Sequence, residues 1–137
     1  MTIASYATLL NRDILRLSSK TRYVAVDRDH LIWLMRPTLQ LIYVDSEWYL
    51  SSNPDIAEAV ANGTVDDARD HYVRYGYYEH RMPYQIDVEE SWYLAHYPDV
   101  KEAVATGAFS SGRDHFYAVG FAEGRLPCAN FALRLMQ

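Results

Sequence analysis

Hydrophobic and polar positions follow one pattern twice between residues 44 and 127. Shifting the sequence by 44 residues aligns Val44–Pro83 with Val88–Pro127, and eighteen of the forty aligned pairs are identical. Chance would give roughly one match in sixteen, and self-similarity at a fixed spacing is the signature of a repeat architecture. The pattern therefore predicts two like units, residues 44–87 and 88–127, which we call the first copy and the second copy.

The clearest predicted helix in each copy is bounded by turn residues. In the first copy it begins at Pro54, which suits the first helical position, and runs to Asn62. Gly63 then fits the left-handed position beyond the helix end. Apolar residues at three- and four-residue spacing predict a buried stripe, formed by Ile56, Ala59 and Val60 and matched by Val100, Ala103 and Val104.

Two further short helices flank this one. A helical turn from Ser46 to Ser51, which Asp45 or Ser46 would cap, carries the large side chains of Trp48 and Tyr49. A third helix is predicted from Asp66 to Tyr75, ending at Gly76, with Ser110 and Gly120 as its cap and stop in the second copy. One face of this helix is predicted to consist of Ala68, His71, Tyr72 and Tyr75.

Residues 1–43 do not match the repeat, and they are predicted to cap one end of it. A first helix is predicted over Ser5–Leu17, with an apolar face formed by Ala7, Leu10, Ile14 and Leu17. Strands are predicted at Tyr23–Val26 and Leu39–Val44. Between these strands, a second helix is predicted over Arg28–Met35, capped by Asp27 and ending before Pro37. Helix is favoured over strand for most of this segment.

The predicted fold class is mainly α, in a single domain of 137 residues. It comprises a capping segment (1–43) that is helical and in part extended, two tandem three-helix units (44–87 and 88–127) and a C-terminal segment (128–137). The C-terminal segment contains the apolar run Phe131–Met136. This run either docks a partner or covers the exposed face of the last unit.

Composition and charge narrow the function. The net charge of −5, with arginines scattered among acids, disfavours direct nucleic-acid binding. The single cysteine, Cys128, excludes an intramolecular disulfide. Neither a signal peptide nor a membrane span is predicted, so we expect a cytoplasmic protein, with export lacking an N-terminal signal peptide left open.

The repeated residues carry a resemblance. The order Trp-Tyr-Leu, Pro-Asp-Val, Gly, His-Phe or His-Tyr, Gly and Glu-Gly-Arg-Leu-Pro resembles a short repeat of bacterial exopolysaccharide-related glycosyltransferases and large exported calcium-binding proteins. It spans Val44–Pro127 and implies an accessory module beside a catalytic or adhesive region. The glycine-aspartate nonapeptides of the exported proteins are missing, and His80 replaces the glycine of the closing motif in the first copy.

Histidines at equivalent positions are the main catalytic or metal-binding candidates. His71 and His115 each follow an aspartate, but adjacent helical residues diverge by about 100 degrees and seldom touch. No pair of histidines has the spacing of a metal site on one helix. We therefore predict that both donate to core carbonyls, and we predict no metal, no cofactor and no catalytic residue.

Binding residues are predicted where the two copies differ and in their closing turns. Arg81 and Arg125 either bind an anionic ligand or, as we favour, pair with carbonyls at a helix C-terminus. The exposed tyrosines of the tyrosine cluster (Tyr72, Tyr75, Tyr77 and Tyr78), together with the equivalent region Val119–Ala122, form the expected contact surface. The predicted binding residues are Tyr75, Tyr77, Tyr78, His80, Arg81 and Arg125.

The sequence therefore favours a non-catalytic binding or assembly module. Its expected partners are a protein or polysaccharide-associated machinery, and a homodimer is allowed. One alternative is a small enzyme or enzyme subunit acting on saccharides, with His71 or His115 in acid-base chemistry. The other alternative is an acidic regulator or inhibitor of a protein or nucleoprotein complex.

Overall fold

The computed structural model describes residues 15–17 and 24–137, which fall into two compact units, Met1–Gln40 and Leu41–Gln137. The described part is mainly helical, as predicted. None of its helices is long and apolar enough to cross a membrane. That the whole chain forms one domain stays a prediction.

The described residues of the first compact unit form two short strands and one helix. Strand β1 (Leu15–Leu17) pairs antiparallel with β2 (Val24–Val26), and helix α1 (Arg28–Leu39) follows. Because Leu15–Leu17 is a strand, the prediction of a helix through Leu17 was wrong there. The remainder of the predicted Ser5–Leu17 helix lies outside the described residues.

Helix α1 begins where predicted and ends later. The Asp27 carboxylate accepts hydrogen bonds from the backbone N–H groups of Asp29 and His30, which confirms its capping role. The helix continues through Pro37 to Leu39, so its predicted end before Pro37 was wrong. A proline in the last turn removes one N–H donor but keeps a helical φ, and the helix tolerates it there.

In the second compact unit, one order of elements occurs twice. The first copy contains α2 (Ser46–Ser52), α3 (Pro54–Ala61) and α4 (Ala68–His71), and α4 continues into a π-helical segment, π1 (Tyr72–Gly76). The second copy contains α5 (Glu90–His96), α6 (Pro98–Ala105), α7 (Gly112–His115) and the π-helical segment π2 (Phe116–Gly120). Side-chain caps lie at Asp45, Asp67 and Ser111. Ser111 corrects the predicted Ser110 by one position, because it is the Ser111 hydroxyl that reaches the Asp114 N–H.

Each copy closes on itself through a buried proline. The Asp45 N–H donates to the carbonyl of Pro83 at 3.0 Å, and the Glu89 N–H donates to the carbonyl of Pro127 at the same distance. Both prolines are fully buried. The closing segments, Glu79–Pro83 and Glu123–Pro127, are thereby held beside the start of the copy to which they belong.

The largest fully buried side chains among the described residues are aromatic. Tyr49 and Tyr72 in the first copy, and Tyr93 and Phe116 in the second, are essentially inaccessible to solvent. Each pair packs edge to face, with ring centroids 6.0 and 5.9 Å apart. The buried positions on α3 and α6 are Ile56 and Val100, whereas the other stripe residues predicted for these helices are half-buried.

The C-terminal segment returns to the start of the compact unit. The Tyr43 N–H donates to the Arg134 carbonyl and the Met136 N–H donates to the Leu41 carbonyl, both at 2.8 Å, and these bonds frame an antiparallel bridge between Ile42 and Leu135. The prediction of a strand over Leu39–Val44 was therefore wrong in extent. Phe131 and Leu133 pack against the core of the second copy, which supports the covering role for this segment.

Candidate binding surface

The two equivalent histidines are buried and bonded to buried tyrosines. His71 and His115 are each 6% exposed. The Nδ1 atom of His71 lies 2.9 Å from the Tyr49 hydroxyl, and that of His115 lies 3.1 Å from the Tyr93 hydroxyl. The predicted carbonyl partner was therefore wrong. The ring of each histidine is hydrogen-bonded instead to the hydroxyl of a tyrosine from the first helix of its copy.

Burial shifts the pKa of His71 and of both tyrosines. It lowers the pKa of His71, whose charged form loses hydration inside the core. It raises the pKa of Tyr49, and it raises the pKa of Tyr93 to about 12. The tyrosines consequently keep their protons at neutral pH and can donate them to histidine nitrogens.

Arg81 clamps the closing segment of the first copy to the start of α3. Its Nη1 and Nη2 donate to the two carboxylate oxygens of Asp55 at 3.1 and 2.8 Å, and its Nε donates to Glu79 at 2.8 Å. Nη1 also donates to the Asn53 side chain at 2.7 Å. These hydrogen bonds lower the pKa of Asp55 and raise the pKa of Arg81, so both groups stay charged.

Arg125 makes the same clamp in the second copy. Its Nη1 and Nη2 donate to Asp99 at 3.0 and 2.7 Å, and its Nε donates to Glu123 at 2.7 Å. Tyr97, which replaces Asn53, offers its ring face to the guanidinium at 5.0 Å. The favoured prediction that both arginines pair with helix C-terminal carbonyls was wrong, since carboxylates near a helix start occupy them.

The tyrosine cluster divides into one exposed and two half-buried side chains. Tyr75 is 54% exposed. Tyr77 packs edge to face on Tyr72 and on Tyr78, with ring centroids 6.3 and 5.2 Å apart. The Tyr78 hydroxyl is buried without a hydrogen-bond partner among the described residues. Tyr75 is thus the member that solvent or a partner reaches most freely.

The π-helical backbone explains why Tyr75 turns outward. The Tyr77 N–H donates to the Tyr72 carbonyl at 2.9 Å, a bond that spans five residues instead of four. The additional residue in the turn places Gly76 inward, against Tyr49, where an α-helix would direct Tyr75. The Tyr75 ring still lies beside His71, with ring centroids 5.7 Å apart, so these two residues share a face of the segment as predicted, although Tyr75 itself is exposed.

The remaining predicted residues are spread over the molecule. His80 is exposed in a left-handed conformation, with φ of 59°, at the position that Gly124 occupies in the second copy with φ of 74°. Arg81 belongs to its clamp, and Arg125 belongs to the other copy. Val119, the equivalent of Tyr75, is 38% exposed.

Two further polar or aromatic side chains of the second copy, Trp92 and Glu90, make structural contacts. The ring of Trp92 stacks on His96 with centroids 4.5 Å apart and packs against the core of the second copy. The Glu90 carboxylate accepts hydrogen bonds from the backbone N–H groups of Gly112 and Arg113 at 2.6 and 2.9 Å, so it caps α7. Within the described ranges, no three His, Cys, Asp or Glu side chains cluster as a metal ion would require.

The sequence indicated the apolar run Phe131–Met136 but not the residues that pair with it. Leu41, Tyr43, Leu135 and Met136 meet at the pairing of residues 41–43 with 134–136, and all four are exposed. The only signal was the apolar character of the chain's last residues, because no local rule predicts pairing across so many positions.

Comparisons with known proteins add no relative. A scan against protein-family models found no match. Searches of the curated proteins and of the solved structures found none either. The argument for function therefore depends on the residues and contacts described above.

Proposed function

We propose that this chain is a non-catalytic binding or assembly module that contacts its partner through the surface around Tyr75. The observation that carries the proposal is the exposure of a large aromatic side chain, 54% accessible, on a segment in which Tyr72, Val73 and Gly76 are buried. Tyrosine is enriched among the residues that contribute most to binding, since its ring buries area and its hydroxyl bonds.

The chemistry of the two copies supports binding over catalysis. His71 and His115 are buried against tyrosine hydroxyls, whereas a general acid or base must reach a substrate proton. Arg81 and Arg125 are occupied by carboxylates of their own copies. The contacts that hold each copy together explain why an arginine is present at the equivalent position of both copies.

We further propose that residues 44–87 and 88–127 act as tandem three-helix units with residues 1–43 as a cap. The matching helices, His–Tyr pairs and clamps of the two copies support this organisation. A cytoplasmic location and a protein or polysaccharide-associated partner belong to the same proposal. The partner class follows from the resemblance of the repeated residues to accessory modules of exopolysaccharide-related proteins.

The test is a comparison of captured partners. Immobilised wild-type protein and the Tyr75→Ala variant are incubated with lysate of the source cells, and retained proteins are quantified by mass spectrometry. We expect a specific set retained by the wild type and reduced about tenfold by Tyr75→Ala, in line with the loss of an interface anchor. The matched control is Val119→Ala, the equivalent position in the second copy.

Both variants change an exposed side chain, so circular dichroism should show unaltered helix content. Equal retention by the wild type and Tyr75→Ala would refute the role of this surface. Equal loss for Tyr75→Ala and Val119→Ala would instead assign binding to both copies.

A further inference from the structure

An isolated antiparallel β-bridge joins the C-terminal segment to residues 41–43. Residues 41–43 and 134–136 are joined by two hydrogen bonds, which flank the pair Ile42 and Leu135. In an antiparallel ladder, the N–H and C=O groups of such a flanked pair point away from the partner strand. Ile42 is buried, whereas Leu135 is 59% exposed, so the outward peptide groups of Leu135 lie at an accessible edge.

Apolar side chains accompany this edge. Tyr43, Leu135 and Met136, all exposed, line a groove of about 470 Å³ together with Arg134 and Gln137. Pockets that hold small ligands or peptide side chains fall in the range of roughly 300–1,000 Å³. The groove therefore has room for one or two side chains of an extended peptide.

The charged side chain of Arg134 lies at the same groove. Its guanidinium is 4.6 Å from the centroid of the Tyr84 ring, and the backbone N–H of Arg134 donates to the Tyr84 hydroxyl at 2.8 Å. Among the described residues, no carboxylate lies within ion-pair distance of this guanidinium, in contrast to Arg74, Arg81 and Arg125. A positive charge positioned on an aromatic ring favours an anionic group from outside.

We propose that this groove binds an extended peptide of a partner protein, in which apolar residues alternate with an acidic residue. The peptide adds as a strand beside Leu135, its apolar side chains contact Tyr43 and Met136, and its carboxylate pairs with Arg134. Main-chain bonds at a sheet edge with alternate side chains in pockets are an established mode of peptide recognition. Charge complementarity with Arg134 selects the acidic residue. Tyr75 is not among the residues that line this groove, so the peptide site goes beyond the proposed function.

The experiment is selection from a phage-displayed library of random dodecapeptides on the full chain. We expect enriched peptides with Asp or Glu among alternating apolar residues. Synthetic versions of these peptides should bind the Arg134→Glu variant at least about tenfold more weakly by fluorescence polarisation, because truncating a charge pair at an interface has effects of this size or larger.

The matched control is Arg113→Glu, since the Arg113 guanidinium also lies over a tyrosine ring, that of Tyr117, at 5.5 Å. It should leave peptide affinity unchanged. The Leu135→Pro variant lacks the outward N–H and should also bind the peptide more weakly. This result is interpretable when the circular dichroism spectrum of the variant matches that of the wild type. Arg134→Glu leaves the backbone intact and decides the matter alone if Leu135→Pro unfolds.

Three results would overturn the proposal: no enrichment over background, enriched peptides without a carboxylate, or equal affinity for wild type and Arg134→Glu. Light scattering that shows a dimer abolished by Arg134→Glu would assign the groove to another molecule of this chain and also reject the peptide. Tyr75→Ala should not alter peptide affinity, so failure here is distinguishable from failure of the Tyr75 surface.

Discussion

At the scale of single residues, Arg81 joins two parts of the first copy that are 26 positions apart in sequence. Its bidentate contact with Asp55 holds the closing segment, which ends at the buried Pro83, next to the start of α3. Arg125 and Asp99 repeat the contact. The three charged residues of each clamp are identical in the two copies because each copy needs the same closure.

We predict that Arg81→Met lowers the free energy of unfolding by about 1 kcal/mol. A charge-assisted hydrogen bond contributes more than this when buried, but Asp55 is 59% exposed at its side chain and solvent screens the pair. Urea denaturation followed by circular dichroism measures the change.

The control for this prediction is Arg74→Met. Arg74 pairs with Asp70 four residues away on one helical segment, and such exposed pairs contribute only a few tenths of a kcal/mol. Equal effects of the two substitutions would show that the clamp adds nothing beyond a surface ion pair.

Residue roles that depend on neighbours in sequence could be predicted, and those that depend on distant partners could not. The caps Asp27 and Asp45 were found because the bond they accept lies two or three residues away. Tyr49 and His71 are 22 positions apart, and no spacing rule connects them. Their identity in both copies marked them as important without indicating that they touch.

At the scale of elements, the π-helical segments determine which side chains face the core. In π1 and π2, the inward position falls on Gly76 and Gly120, and a Cβ at either would collide with the hydroxyl of Tyr49 or Tyr93. Glycine is required at these two positions because it has no Cβ to collide with the tyrosine hydroxyl. The same geometry exposes Tyr75.

We predict that Gly76→Ala destabilises the protein by about 1–3 kcal/mol, as insertion of a methyl group into a packed core does. Removal of the obstructing oxygen in Tyr49→Phe should relieve part of this cost. A double-mutant cycle by denaturant unfolding measures the coupling between the two positions. Independent, additive effects would contradict the close approach of Gly76 to the Tyr49 hydroxyl.

Element prediction succeeded where caps and stops enclose an apolar stripe. Helix α3 begins at Pro54 as predicted and ends one residue before Asn62, with Gly63 at φ of 76° beyond it. The π-helical bonding was missed because it depends on packing against Tyr49, which the local pattern of π1 does not contain. The pairing of residues 41–43 with 134–136 was missed because it joins the two ends of the compact unit.

At the scale of the whole molecule, the buried histidine makes stability depend on pH. The pKa of His71 is held below its ordinary value of 6.5 by burial, so the unfolded chain binds a proton at higher pH than the folded chain. Stability is therefore fully present above about pH 6.5 and declines as the pH falls below it, because the unfolded state binds more protons there.

We predict that the free energy of unfolding falls between pH 6.5 and 5 in the wild type and falls less steeply in His71→Gln, which cannot acquire the charge. Urea denaturation at half-unit pH steps gives both slopes. Acidic residues that titrate lower, such as Asp55, affect both proteins alike and do not disturb the comparison. Parallel slopes would contradict the buried state of His71.

Site-specific photo-crosslinking from position 75 shows whether this molecule contacts its partner through the Tyr75 surface. A photoreactive phenylalanine analogue is placed at position 75 and, as a control, at position 119, and irradiation follows in lysate of the source cells. We expect an intermolecular adduct of one discrete mass from position 75, stronger than from position 119 and absent without light. Equal or no intermolecular adducts from the two positions, with both proteins folded, would contradict binding through the Tyr75 surface.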